Sequence, residues 1–169
     1  MMKELSVYKI WPEAHTPVYG SEWAACFDIR ASLREDIGVD CYDIKNKKTV
    51  LPTTGRMIVI ASGSRVLVPT GCIFDLPENE SLRIHPRSGL ALKSGVVLGN
   101  CEGIVDADYV NQTYIMLHNT SRRIFIVRDG DRIAQGEIVS SEQRRFTVSE
   151  DKPTQKTSRE GGFGSTGIS

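Results

Sequence analysis

The chain has 169 residues, enough for one domain whose core needs no disulfide staples. Lysine plus arginine count 21 and aspartate plus glutamate count 21, so no global basic field exists to hold a polymeric nucleic acid. Cys26, Cys41, Cys72 and Cys101 are scattered without a C-x-x-C pair, and no apolar run reaches the length of a membrane span. These facts argue against a zinc framework, a secreted disulfide scaffold and a membrane protein, and predict a soluble, cytoplasmic chain with free thiols.

In chain order, "LSVYKI" opens a series of short apolar segments bounded by turn residues. Residues 33–63, with the polar run "REDIGVDCYDIKNKKT", read as an excursion: a surface insertion first, with a bulkier subunit contact or a protein docking site as alternatives. "MIVI", "RVLVP", "CIFDLP" and "SLRIH" follow, then "TYIMLHN", "RIFIV" and "RIAQGEIV". Their β-branched content favours strands and an all-β barrel or sandwich. The one helical turn expected is "SGLALKSG", with Ser88 as N-cap and Gly95 as stop. "GIVDADYVNQTYIML" reads as a hairpin whose first arm ends at Asp106. From about Ser149 the chain is polar and contains Pro153, which predicts an arm over residues 149–169 leaving a domain of residues 1–148. Trp11 and Trp23 are expected as core or interface anchors, and His15, His85 and His118 carry no sequence sign of metal ligation.

Chemistry concentrates in a few stretches. Arg87 beside Ser88 at a helix start makes an anion seat, because a guanidinium fork, a hydroxyl and unpaired N–H groups converge there. The glycine-rich "SREGGFGSTG" offers backbone that can approach phosphate, with Phe163 as a flat face for a base.

Five stretches in order, "AACFDIRAS", "PRSGLALKSG", "GNCEGIVDADY", "GDRIAQ" and "GGFGSTG", resemble the motifs of the trimeric dUTP pyrophosphatases (dUTPases). The resemblance implies a jelly-roll-like β-barrel with one short helix and an extended C-terminal arm. It implies a homotrimer with sites at subunit interfaces, and Mg²⁺-assisted hydrolysis of dUTP to dUMP and pyrophosphate. That reaction keeps uracil out of DNA and supplies dUMP for thymidylate synthesis. By resemblance, Asp106 is the general base that activates water, with Arg87 and Gln135 as catalytic phosphate contacts. Ser88 and Gly89 complete the phosphate seat, and Asp28 holds the metal through water only. Asn100 and the backbone beyond Tyr109 read uracil, Tyr109 packs on deoxyribose, and Gly103, Val105 and Tyr114 are further substrate contacts. Arg159, Phe163, Gly164, Ser165 and Thr166 close over the nucleotide from another subunit.

The sequence departs from the family pattern in three places. Ser158 takes the motif-five Arg position, with Arg159 one place later. Cys26 replaces a motif-one glycine. Asn111 replaces a glycine after Tyr109, and since Asn tolerates left-handed backbone the turn can be kept. A dCTP deaminase or bifunctional deaminase-pyrophosphatase on the same barrel is the rival enzyme. The rival of another class is a regulatory nucleotide-binding protein acting through residues 33–63. A viral chain of this kind would act in the host cytoplasm.

Overall fold

The structure, a computed structural model, describes residues 4–158. In chain order the strands are β1 (Ser6–Lys9), β2 (Val18–Tyr19), β3 (Phe27–Arg30), β4 (Gly38–Tyr42), β5 (Lys48–Pro52), β6 (Met57–Ile60), β7 (Arg65–Pro69), β8 (Cys72–Asp75) and β9 (Glu80–His85). After the helix α1 (Ser88–Ser94) come β10 (Val96–Leu98), β11 (Gly103–Val105), β12 (Tyr114–Asn119), β13 (Phe125–Arg128) and β14 (Arg132–Ser140).

Two five-stranded sheets, ordered β10-β12-β7-β4-β5 and β11-β9-β14-β3-β2, carry the fold, and the ribbons β1-β8 and β13-β6 complete it. All pairings are antiparallel, as in a jelly-roll-like arrangement. Alternation puts Val66 and Val68 of β7, Ile115 and Leu117 of β12 and Leu82 and Ile84 of β9 into one core. Phe27 and Phe74 stack inside it with centroids 6.0 Å apart. Gly136 is required there, because a Cβ would lie 2.5 Å from the Phe27 ring and 2.9 Å from Leu82.

Residues 33–63 are not an insertion on the surface. They supply β4, β5 and β6, and bury Leu33, Val39, Cys41, Ile58 and Ile60 in the common core. Polar residues mislead here because β4 alternates: Val39 and Cys41 point inward while Asp40 pairs outward with Lys48 at 2.9 Å. Asp129 stitches this segment to the rest. Its carboxylate accepts the Leu33 N–H at 2.8 Å, meets the Arg56 guanidinium at 2.5 Å and lies 3.3 Å from His15 Nε2.

Packing ends before residue 148. Ser141 donates its N–H to the Asn79 carbonyl at 2.8 Å and its hydroxyl to Ser81 Oγ at 2.7 Å. Residues 142–158 then run exposed without helix or strand, with Phe146 and Val148 outside the core. Trp11 is an anchor, donating Nε1–H to Ser32 Oγ at 3.0 Å, whereas Trp23 is 90% exposed. No helix among the described residues is long and apolar enough to cross a membrane.

Candidate active site

Strand register decides which polar residues meet. In the second five-stranded sheet, Asp28 of β3, Gln135 of β14 and His85 of β9 are direct cross-strand neighbours. Residues opposite one another in a ladder share a face, so this row presents a carboxylate, an amide and an imidazole together. Asp28 is 6% exposed, and such a carboxylate is tolerated only with cationic partners. Arg132 supplies one, donating to Asp28 Oδ2 at 3.1 Å, and Arg87 Nε sits 3.4 Å from Oδ1. The Arg87 guanidinium also donates to the Arg132 carbonyl at 2.9 Å, so the two arginines are fixed in one frame. Arg132 was legible as part of "GDRIAQ", but nothing in the sequence pairs it with Asp28, 104 residues earlier.

That frame explains the start of α1. Arg87, held by Asp28 and the Arg132 carbonyl, stays extended at φ −88° and ψ 125° and is itself the N-cap residue, without a side-chain cap hydrogen bond. Ser88 is therefore the first helical residue and not the cap expected from its type. Ser88 and Gly89 are exposed, and a Cβ at Gly89 would meet nothing within 4 Å, so open space faces the Arg87 seat. Gly95 stops the helix in left-handed conformation, φ 64°, as expected.

A second assembly lies at β11. A cavity of about 270 Å³ is lined by Asn100, Gly103, Val105, Asp106, Tyr109 and Tyr114, together with Leu67, Ile84, Ile104 and Thr113. Residues 103–119 do not form the predicted hairpin: β11 pairs with β9, whereas β12 pairs with β10 and β7. The segment crosses between the two sheets, and the cavity sits under the crossing. Its turn is tied by the Tyr109 N–H on the Asp106 carbonyl at 3.1 Å and by the Tyr109 hydroxyl on the Gln112 carbonyl at 2.9 Å. The Tyr109 ring is thus held as a wall. Asn111 does not use left-handed backbone; Cys101, at φ 63°, does. Asp106 also faces a neighbouring cavity of about 510 Å³ that includes Ser81 and Asp108.

The two assemblies stand at opposite ends of β9. Val105 pairs with Leu82, which places Asp106 beside Ser81, while Arg87 follows His85 at the far end. Six residues of extended chain from Ser81 to Arg87 span roughly 20 Å. One chain therefore separates its Asp106 from its own Arg87, Asp28 and Gln135, and none of the last three lines the cavity. Arg159, Phe163, Gly164, Ser165 and Thr166 lie outside the described residues.

The described residues thus form two separate assemblies, a cavity of mixed apolar and polar lining edged by the Asp106 carboxylate and an arginine pair locked by the buried Asp28. The sequence profile of the dUTPase family matches residues 51–167. The chain is 37% identical over 152 residues to the deoxyuridine 5'-triphosphate nucleotidohydrolase of Caulobacter vibrioides (strain NA1000 / CB15N), covering 90% of this chain and 85% of that one. It is 39% identical over 153 residues to the enzyme of the same name from Rhizobium johnstonii, with the same coverage. Among solved structures, the Staphylococcus bacteriophage 80alpha dUTPase, as a G164S mutant with dUpNHpp, superimposes with a TM-score of 0.77 at 18% identity, covering 99% of this chain and 100% of that one. The dUTPase of Streptococcus mutans gives 0.66 at 22% identity, covering 83% and 98%. The chain belongs to the dUTPase family.

Proposed function

We propose that this chain hydrolyses dUTP to dUMP and pyrophosphate, at sites each assembled from more than one copy of the chain. The observation that carries the reading is the gathering of Asn100, Gly103, Val105, Tyr109 and Tyr114 around one small cavity with Asp106 on its lining. Uracil fits such a cavity by hydrogen-bond arithmetic. It offers an N3–H donor between two carbonyl acceptors, and cytosine reverses that pattern and leaves partners unpaired. In this reading the Tyr109 ring, tied through its hydroxyl to the Gln112 carbonyl, packs on deoxyribose and leaves no room for a 2′-hydroxyl.

Asp106 acts as the general base, taking a proton from the water that attacks the α-phosphorus while pyrophosphate leaves. Arg87, with Ser88 and Gly89, receives the phosphates together with Gln135, and lowers the barrier by positioning and charge neutralisation. Arg132 keeps Arg87 aligned through its carbonyl and through Asp28. Because an acting Asp106 and an acting Arg87 must both reach one triphosphate, the roughly 20 Å between them within a chain requires the two to come from neighbouring copies. A homotrimer with shared sites satisfies this, with the arm residues Arg159, Phe163, Gly164, Ser165 and Thr166 closing over the nucleotide.

Mg²⁺ fits as an outer-sphere partner of Asp28. Its buried Oδ1 has an ion-pair neighbour but no hydrogen-bond partner among the described residues, so it can accept from a metal-bound water. Two guanidiniums already neutralise the carboxylate, which disfavours direct ligation. When bound, Mg²⁺ neutralises phosphate charge. The test is to mix the pure protein with dUTP, dCTP and Mg²⁺. Pyrophosphate from dUTP without ammonia from either nucleotide is expected; ammonia release from dCTP would refute the reading in favour of a deaminase.

A further inference from the structure

The row that carries Asp28 and Gln135 has a neighbour the reaction does not use. Gly136 pairs with Phe27, so one step further along the register brings Cys26 against Glu137, while His85 sits opposite Gln135 on the same face. Cys26, His85 and Glu137 each offer one donor atom, these atoms lie within 4.8 Å of one another, and all three residues are half-buried. His85 Nε2 is 3.4 Å from Glu137 Oε2, and its other nitrogen, Nδ1, faces Glu102 Oε1 at 3.7 Å. The second Glu102 oxygen meets Arg83 at 3.4 Å, which holds that carboxylate in place.

We propose that Cys26, His85 and Glu137 bind a zinc-class transition-metal ion, at a site distinct from the Mg²⁺ that accompanies the nucleotide. A sulfur, an imidazole nitrogen and one carboxylate oxygen form a donor set that suits Zn²⁺ and Co²⁺, and Mg²⁺ prefers an all-oxygen octahedron. Tetrahedral coordination at bond lengths of about 2.0–2.3 Å needs donors roughly 3.3–3.8 Å apart, so side-chain rotations of about 1 Å complete the shell. Three protein donors leave a fourth position open to water. Glu102 faces the Nδ1–H and favours the tautomer that keeps its proton there, which leaves the Nε2 lone pair free as the ligand, the usual carboxylate support of a metal-bound imidazole. Binding releases the Cys26 thiol proton to solvent, because the thiolate is the ligand. The ion ties the residue just before β3 to β9 and β14 across the sheet face that bears Asp28.

The experiment is Co²⁺ titration of the full chain, reduced, stripped with chelator and free of nucleotide. One Co²⁺ per chain should give tetrahedral visible bands and a thiolate-to-cobalt charge-transfer band, with one proton released per ion. Zn²⁺ should abolish these bands, and a large excess of Mg²⁺ should not. Cys26→Ala should eliminate the charge-transfer band while Cys101→Ala keeps it, and Glu102→Gln should weaken Co²⁺ binding by roughly 10- to 100-fold. Absence of the band in the unaltered chain, its persistence in Cys26→Ala, or displacement by Mg²⁺ would overturn the proposal. Were Cys26→Ala not to fold, as judged by circular dichroism, His85→Gln decides: lost visible bands support the site and retained ones overturn it.

Discussion

The separation of Asp106 from Arg87 along β9 makes a prediction that needs no knowledge of the assembled particle. Asp106→Asn removes the proposed general base at one end of the strand, and should cost roughly 10²- to 10⁴-fold in rate. Arg87→Ala removes the proposed phosphate seat at the other end. Each protein alone should be nearly inactive. If the roughly 20 Å between these positions forces every working site to take Asp106 from one chain and Arg87 from another, co-refolded mixtures contain sites that inherit both intact parts. In a closed ring with equal mixing, each part is intact with probability one half, so about a quarter of sites are whole. dUTP turnover should therefore recover to about a quarter of the unaltered protein's rate, although neither parent shows it. Pyrophosphate release is the assay, and differently tagged chains confirm that mixed particles formed. A mixture that is properly assembled and remains inactive would refute the reasoning, because sites built within one chain always retain one defect.

The arginine frame gives a second expectation: Arg132→Ala should destabilise the fold by roughly 1–3 kcal/mol, since the buried Asp28 loses one of two partners, and most of that cost should vanish in an Asp28→Asn background. Equal costs in both backgrounds, measured by denaturant unfolding, would show that the pair is not the cause. Gly136→Ala should cost about 1–3 kcal/mol or more by overpacking against Phe27 and Leu82, and an unchanged urea midpoint would contradict the 2.5 Å clearance. Burial raises the Cys72 thiol above its ordinary value of 9.0, so its contribution to stability is complete below about pH 9 and is lost as pH rises through the folded-state value. Unfolding midpoints should fall on the alkaline side, less so in Cys72→Ala, and a thiol reagent at pH 8 should label exposed Cys101 well before Cys72.

The strands with continuous apolar runs rich in β-branched residues, such as "RVLVP" and "RIFIV", were legible because that composition favours extended, packed backbone. Strand β4 was not, since an alternating "GVDCY" between charged turns looks like a loop until its partner β7 supplies the inward face. Local pattern also misassigned residues 103–119. A turn between two apolar runs implies a hairpin, but β11 and β12 find their partners in different sheets. The cavity residues were legible through family motifs, and Asp106 does follow β11 directly. The Arg132–Asp28 pair and the Cys26, His85 and Glu137 group were hidden for another reason. Each is made by register between distant strands, which no local window contains.

A chain whose charges balance can still receive a polyanion because the balance is not local. Asp28, held between Arg87 and Arg132, orients both and cancels part of their charge. Two guanidiniums against one carboxylate leave the seat positive. Fixing Arg87 before the ligand arrives also spares the ordering entropy of a long side chain, of order 1–2 kcal/mol. Asp106, by contrast, is exposed at the end of β11, with no basic residue among those lining either of its cavities. In the proposed reading Asp106 and Arg87 meet only where neighbouring copies abut, so their placement at opposite ends of β9 makes assembly, and not the fold of one chain, decide when a carboxylate faces the cationic seat.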